Sequence, residues 1–189
     1  MPINLCRFYD VWQAAREANR GGIPHRHQLG LPQLRALTSN LMIYERVASG
    51  NLQIKMSGTN LDAQFGRNLT GACGHEMAEP EANAAMTAFH QALIDHPAGG
   101  HAQDILVNQV GKRVKAEYLI LPLLNREGKR IQFASMCEAE TQGFGQPADR
   151  PGTRITYNEL LSARHLDIGF GIPDYNFLIT TKTNSMSEA

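Results

Sequence analysis

Cysteine is scarce in this chain: the 189 residues hold three, Cys6, Cys73 and Cys137, scattered and without CxxC spacing. An odd count so arranged argues against a disulfide framework and for a reducing compartment, which makes the sequon Asn68-Leu69-Thr70 coincidental. No run approaches the ~18 consecutive apolar residues of a membrane span, and no basic head followed by an apolar stretch and a small-residue cleavage site opens the chain. The expectation is a cytoplasmic protein with no membrane association. Neither sign of charge prevails, since Lys and Arg total 18 and Asp and Glu total 18. A global field that would favour nucleic acid or anionic lipid is therefore excluded. Also missing are a P-loop, a G-x-S-x-G and a complete G-x-G-x-x-G, because Gly169-Phe170-Gly171 lacks the third glycine and runs into Ile172-Pro173. His75-Glu76-Met77-Ala78-Glu79 is a near miss to HExxH, and His25 with His27 lacks a third ligand, so no metal site is expected. Without a catalytic constellation, the chain reads as a non-enzyme.

What is present is one good core. The hydrophobic fraction of 42% at this length suits one domain with extensions rather than two. Leu5, Phe8, Tyr9, Trp12 and Ala15 form one stripe of an amphipathic helix that Gly21-Gly22 stops. Pro32 suits the first turn of a second helix. Residues 41–48 and 52–57 read as a hairpin around Ser49-Gly50-Asn51, and residues 80–95 as a helix with Ala82, Ala85, Met86, Phe89 and Leu93 on one face. Three further strands follow at residues 102–109, 113–125 and 129–140, giving five antiparallel strands in all. In the second of these three, Val114, Ala116, Tyr118 and Ile120 make one dry face, and Leu119, Leu121 and Leu123 make the other dry at its end. A strand buried on both faces needs cover outside as well, and the N-terminal helix is the apolar element available to supply it. Residues 141–152 read as a Gly/Pro-rich linker, Thr156-x-x-Glu159 as a capping box opening a short helix with Leu160 and Leu161, residues 170–179 as a docking segment, and residues 180–189 as a disordered tail. The organisation is thus 1–30 for the N-terminal helix and extended segment, 31–140 for the domain, and 141–189 for linker, extension and tail.

The stretch LQIKMSGTNLDAQFGRNLTG, residues 52–71, carries the most information. A strand of alternating polarity breaks at Gly58 and runs into a short helical segment marked by Leu61, Phe65 and Leu69 and interrupted by Gly66 and Gly71. Gly58-Thr59 and the Phe65-Gly66-Arg67, Leu69-Thr70-Gly71 positions resemble the centre of a PAS domain, where short helices after the second strand form one wall of a ligand pocket. The likeness covers residues 34–139. Trp12 and Arg16, Pro24 to Arg26, and the LPLL at Leu121 to Leu124 are similar to a bacterial family of largely stand-alone PAS proteins.

This resemblance implies an α+β fold, a five-stranded antiparallel sheet with helices on one face, plus the N-terminal helix and C-terminal extension. It implies a sensory or regulatory role through a small ligand, a protein–protein interaction, or both, and it fixes no cofactor. The flavin-binding branch carries an adduct-forming cysteine directly after G-R-N; Leu69 stands there, and Cys73 comes four residues later. Haem-binding relatives place a histidine on the long helix, so a haem sensor using His96 or His90 is an alternative. Counted at about 100° per residue, His96 falls on the Met86, Phe89, Leu93 stripe and His90 at its flank. Pocket candidates are Met42, Tyr44, Ile54, Met56, Phe65, Met86, Phe89, His90, Tyr118, Phe133 and Ser135. A homodimer is expected, with Phe8, Tyr9, Trp12, Leu119 and Leu121 at its interface, together with an unidentified signalling partner. The remaining alternative is an α+β cone enzyme of the ketosteroid-isomerase type, for which Asp62 and Asp104 are the acids on hand, neither on a clearly apolar strand face.

Overall fold

In the computed structural model, residues 1–77, 80–129, 131–139 and 154–174 are described, with residues 31, 75, 76, 80 and 81 described in backbone only. Among the described residues, four α-helices and six strands follow one another as α1 (Ile3–Ala18), α2 (Leu31–Leu34), β1 (Leu41–Arg46), β2 (Leu52–Ser57), α3 (Thr59–Phe65), α4 (Pro80–Asp95), β3 (Gly99–Asn108), β4 (Arg113–Leu123), β5 (Gln132–Ala139) and β6 (Ile155–Leu166). They build one antiparallel sheet of order β2-β1-β5-β4-β3-β6. The five expected strands are all present. The sixth replaces the short helix expected at Thr156-x-x-Glu159: this segment is extended and pairs with β3 along its length.

The outer face of the sheet is covered by α1, as the two-sided apolarity of β4 requires. Leu5, Phe8, Trp12 and Ala15 pack on Leu119, Leu121, Leu123, Ala134 and Met136, and the Trp12 indole donates to the Pro122 carbonyl at 2.9 Å. Asn4 adds a side-chain bond to Glu138 at 2.7 Å. Phe8, Trp12, Leu119 and Leu121 are thereby fully buried inside one chain, with Tyr9 half-buried beside them. Behind α1, Arg16 lies over the Phe170 ring at 4.8 Å, so the start of the expected docking segment does touch the domain. The rest of that segment beyond residue 174, the 141–152 linker and the 180–189 tail lie outside the described residues.

The inner face carries α4, α3 and a 3₁₀ turn, Gly74–Met77. Two glycines set how closely these layers approach. A Cβ on Gly100 would sit 2.8 Å from the Phe89 ring, so β3 admits the aromatic of α4 directly onto its backbone. A Cβ on Gly58 would lie 2.3 Å from the Ser39 carbonyl oxygen, which is why the strand-to-helix turn after β2 carries glycine. In β2 the alternation has one exception. The register slips between Ile43 and Tyr44, leaving Lys55 extra, so Met56 pairs with Ile43 and turns to the outer face.

Candidate functional site

Between the sheet and the α3 side lies an internal cavity of about 80 Å³. Its floor comes from alternate inward positions of the strands: Met42 and Tyr44 on β1, Ala102, Asp104 and Leu106 on β3, Tyr118 and Ile120 on β4, Ser135 and Cys137 on β5, and Asn158 and Leu160 on β6. Its roof is Leu61, Gln64 and Phe65 of α3, Gly74 and Met77 of the 3₁₀ turn, and Met86 and His90 of α4. Of the expected pocket residues, Met42, Tyr44, Phe65, Met86, His90, Tyr118 and Ser135 therefore line one space. Ile54, Phe89 and Phe133 instead fill the solid core around it, fully buried, and the β2 bulge puts Met56 on the far side of the sheet.

Of the two histidines, His90, a pocket candidate placed at the flank of the stripe, faces the cavity, and His96, placed on the stripe, does not. His90, 6% exposed, follows Met86 by one turn, gives its Nδ1 to the Met86 carbonyl at 2.8 Å, and packs among Tyr44, Phe89 and Phe133. His96 follows the last residue of α4, where the 100° step no longer applies; it lies near Gly171, outside the cavity.

The polar residues outside the expected pocket lining are the most informative. Asp104 is 5% exposed, flanked at i±2 by Ala102 and Leu106, and so does sit on an apolar strand face. Burial pushes its carboxyl up to about 7, against the counteracting hydrogen bond that the Asn158 amide donates to Oδ2. Asp62, by contrast, caps the loop after α3 by accepting the Leu69 N–H at 3.0 Å. Around Asp104, burial raises the Tyr44 and Tyr118 hydroxyls well above their ordinary range and pushes the Cys137 thiol up to about 12. Tyr44 pairs with Ser135, and Tyr118 with Cys137. Asp104 Oδ1, Gln64 Oε1 and Asn158 Oδ1 have no partner although no solvent reaches them. Each buried acceptor left without a donor costs on the order of 1–3 kcal/mol.

Leu69, at the adduct position, is fully buried in the core beneath this roof. Cys73 bridges to Gln53 at the edge of β2 and does not line the cavity. An apolar cavity of ~150 Å³ is what benzene occupies, so a haem or flavin ring system exceeds the space by a wide margin. Among the described residues no three His, Cys, Asp or Glu side chains cluster to hold a metal ion, and no helix is long and apolar enough to cross a membrane. The side chains of His75 and Glu76, and Glu79, lie outside the described residues.

An antiparallel sheet of this order, with short helices roofing a cavity on its inner face, defines a single-sheet α+β domain. The model of a family described as PAS domain matches residues 2–137, and the chain belongs to that family. The α+β cone alternative falls with this assignment. Similar solved structures include a light-oxygen-voltage domain studied with a flavin analogue, 12% identical over 59% of this chain and 84% of that one with a TM-score of 0.43. A PAS domain from Colwellia psychrerythraea is 10% identical over 60% of this chain and 99% of that one, TM-score 0.43. A domain of a light and redox sensing histidine kinase from Haloarcula marismortui is 16% identical over 58% and 97%, TM-score 0.39. No curated protein matches the sequence.

Proposed function

We propose that this PAS domain senses a small molecule held in the cavity and passes the signal to a partner protein, without catalysing a reaction itself. The observation that carries the reading is the composition of the roof. Leu61, Gln64, Phe65, Gly74 and Met77 all come from the short segment between β2 and α4. That segment is two short helical pieces joined by a loop, with Leu61 and Leu69 as its buried apolar anchors. Few anchors mean low local stability compared with a six-stranded sheet. Since about 80 Å³ is tight even for one aromatic ring, a ligand of any size shifts this roof before it shifts the sheet. A population of roof conformations that depends on occupancy is what a partner protein, or a second copy of the chain, can read.

Native mass measurement on untreated protein tests for a retained ligand. Hydrogen exchange on the same sample, before and after the ligand is stripped by unfolding and refolding, then locates the response. Exchange slows most at residues 60–74 in the occupied protein, and Phe65→Ala weakens both that protection and partner capture. Unchanged exchange there at full occupancy, with partner capture intact in the variant, places the switch elsewhere.

A further inference from the structure

The unpaired polar atoms of the cavity share one character. Asp104 Oδ1, Gln64 Oε1 and Asn158 Oδ1 are all acceptors, and none is reached by solvent. Gln64 and Asp104 are themselves at least nine-tenths buried. They arrive from α3, β3 and β6, three elements far apart in the chain, and no Lys or Arg lines the space among the described residues. The direction of the Asn158 amide is not arbitrary. Its Nδ2 donates to Asp104 Oδ2, an oxygen that accepts whether the carboxyl is ionised or carries its proton on Oδ1, so the Asn158 oxygen is the atom left unpaired. Thioethers and aliphatic groups complete the wall with Met42, Met77, Met86 and Leu61, an adaptable apolar lining.

Buried acceptors without donors select against most guests. A carboxylate or phosphate brings more acceptors and a repelling charge, and a hydrocarbon leaves the existing ones unpaired. We infer that the cavity binds a small organic cation, a primary ammonium on a short apolar body, whose N–H groups donate to Asp104, Gln64 and Asn158. This rests on the reading of the domain as a small-ligand sensor and names the chemistry of the ligand. The other titratable groups facing Asp104 are Tyr44, Tyr118, Cys137 and His90. Burial keeps the first three neutral near neutral pH. A cation seated on Asp104 holds its carboxyl ionised, so binding expels the proton that burial otherwise keeps there to about 7.

Titration calorimetry of the full chain with n-propylammonium, propionate and 1-propanol tests this, run in two buffers of different ionisation enthalpy. Propylammonium binds and releases about 0.9 proton at ~pH 6 but about 0.1 at ~pH 8, whereas propionate and propanol give no heat. Asp104→Asn, which keeps the shape and the bond from Asn158, abolishes the proton release and weakens binding at least about tenfold. Propylammonium binding that is equal in Asp104→Asn, or absent up to about 20 mM, overturns the inference. Propanol or propionate slowing exchange at residues 60–74 in its place overturns the cation while leaving the ligand sensor standing. No slowing with any of the three, together with no retained mass on untreated protein, removes both.

Discussion

Replacing Asp104 by Asn puts the buried carboxyl to a quantitative test. In the folded chain burial holds this group's pKa at about 7, against an ordinary value of 3.8. Between those two values the folded state keeps a proton that the unfolded state has released, so stability falls as pH rises through the window and levels off above it. The difference of about 3 units, at 1.36 kcal/mol per unit, makes the full loss about 4 kcal/mol, of which about 3 falls between ~pH 5 and ~pH 8. Asn cannot ionise and is the same size. Its oxygen keeps the bond from Asn158, and its amide brings a donor to a cavity in which the Gln64 and Asn158 oxygens lack one. Urea unfolding of both proteins across that range gives the difference directly, since histidine titration elsewhere is common to both. Near ~pH 5 the variant leads by about 1–2 kcal/mol; near ~pH 8 it leads by about 4. A constant difference across the range, or a variant less stable than the parent at ~pH 8, refutes the idea that Asp104 is held protonated by burial.

Trp12→Ala removes a fully buried indole and its bond to Pro122 from the outer face and costs about 3–5 kcal/mol in chemical denaturation; a cost under about 1 kcal/mol means α1 does not cover the sheet. A disulfide thiol reagent titrates Cys6 and Cys73 in the folded protein, while buried Cys137, its thiol pushed up to about 12, reacts only after denaturant is added. Rapid labelling of all three contradicts the packing described for β5. Purified protein shows neither a Soret band nor flavin bands, given Leu69 at the adduct position and the small cavity; either at stoichiometric occupancy refutes that, and a Soret band lost in His90→Ala establishes haem.

The order of elements from α1 to β5 was legible because each obeys a local rule. α1 has its stripe and glycine stop, β1 and β2 their turn, β4 its switch from one dry face to two. β6 was not legible, and the reason is its bulges. The register against β3 slips between Gln103 and Asp104 and again between Val107 and Asn108, so the buried Ile155, Leu160 and Ala163 fall at odd and even positions alike. With period two erased, Thr156-x-x-Glu159 reads as a helix start. Met56 went astray through the same cause in β2. The site was half legible: its aromatic and thioether lining follows from strand alternation, but its polar end joins β3 to β6 and so depends on a pairing that no local pattern announces. Asp104 did leave a trace, as the one acid between Ala102 and Leu106 on an inward strand face. His96 was preferred to His90 by carrying a helical step one residue past the end of α4.

The edge position of β6 has an evolutionary consequence. The family match ends at residue 137, while Asn158, which orients the Asp104 carboxylate, stands on a strand that begins at Ile155 and pairs with β3 alone. One part of the cavity's polar lining, Asn158, is therefore written outside the stretch that the family model covers, while Asp104 and Gln64 lie inside it. Under the proposed reading, exchange of this outermost strand alters the Asn158 side of the cavity, while the pairings among the other five strands, and the helix that shields them, are kept. Diversification of such a sensor can proceed by trading its last strand rather than by rebuilding its core.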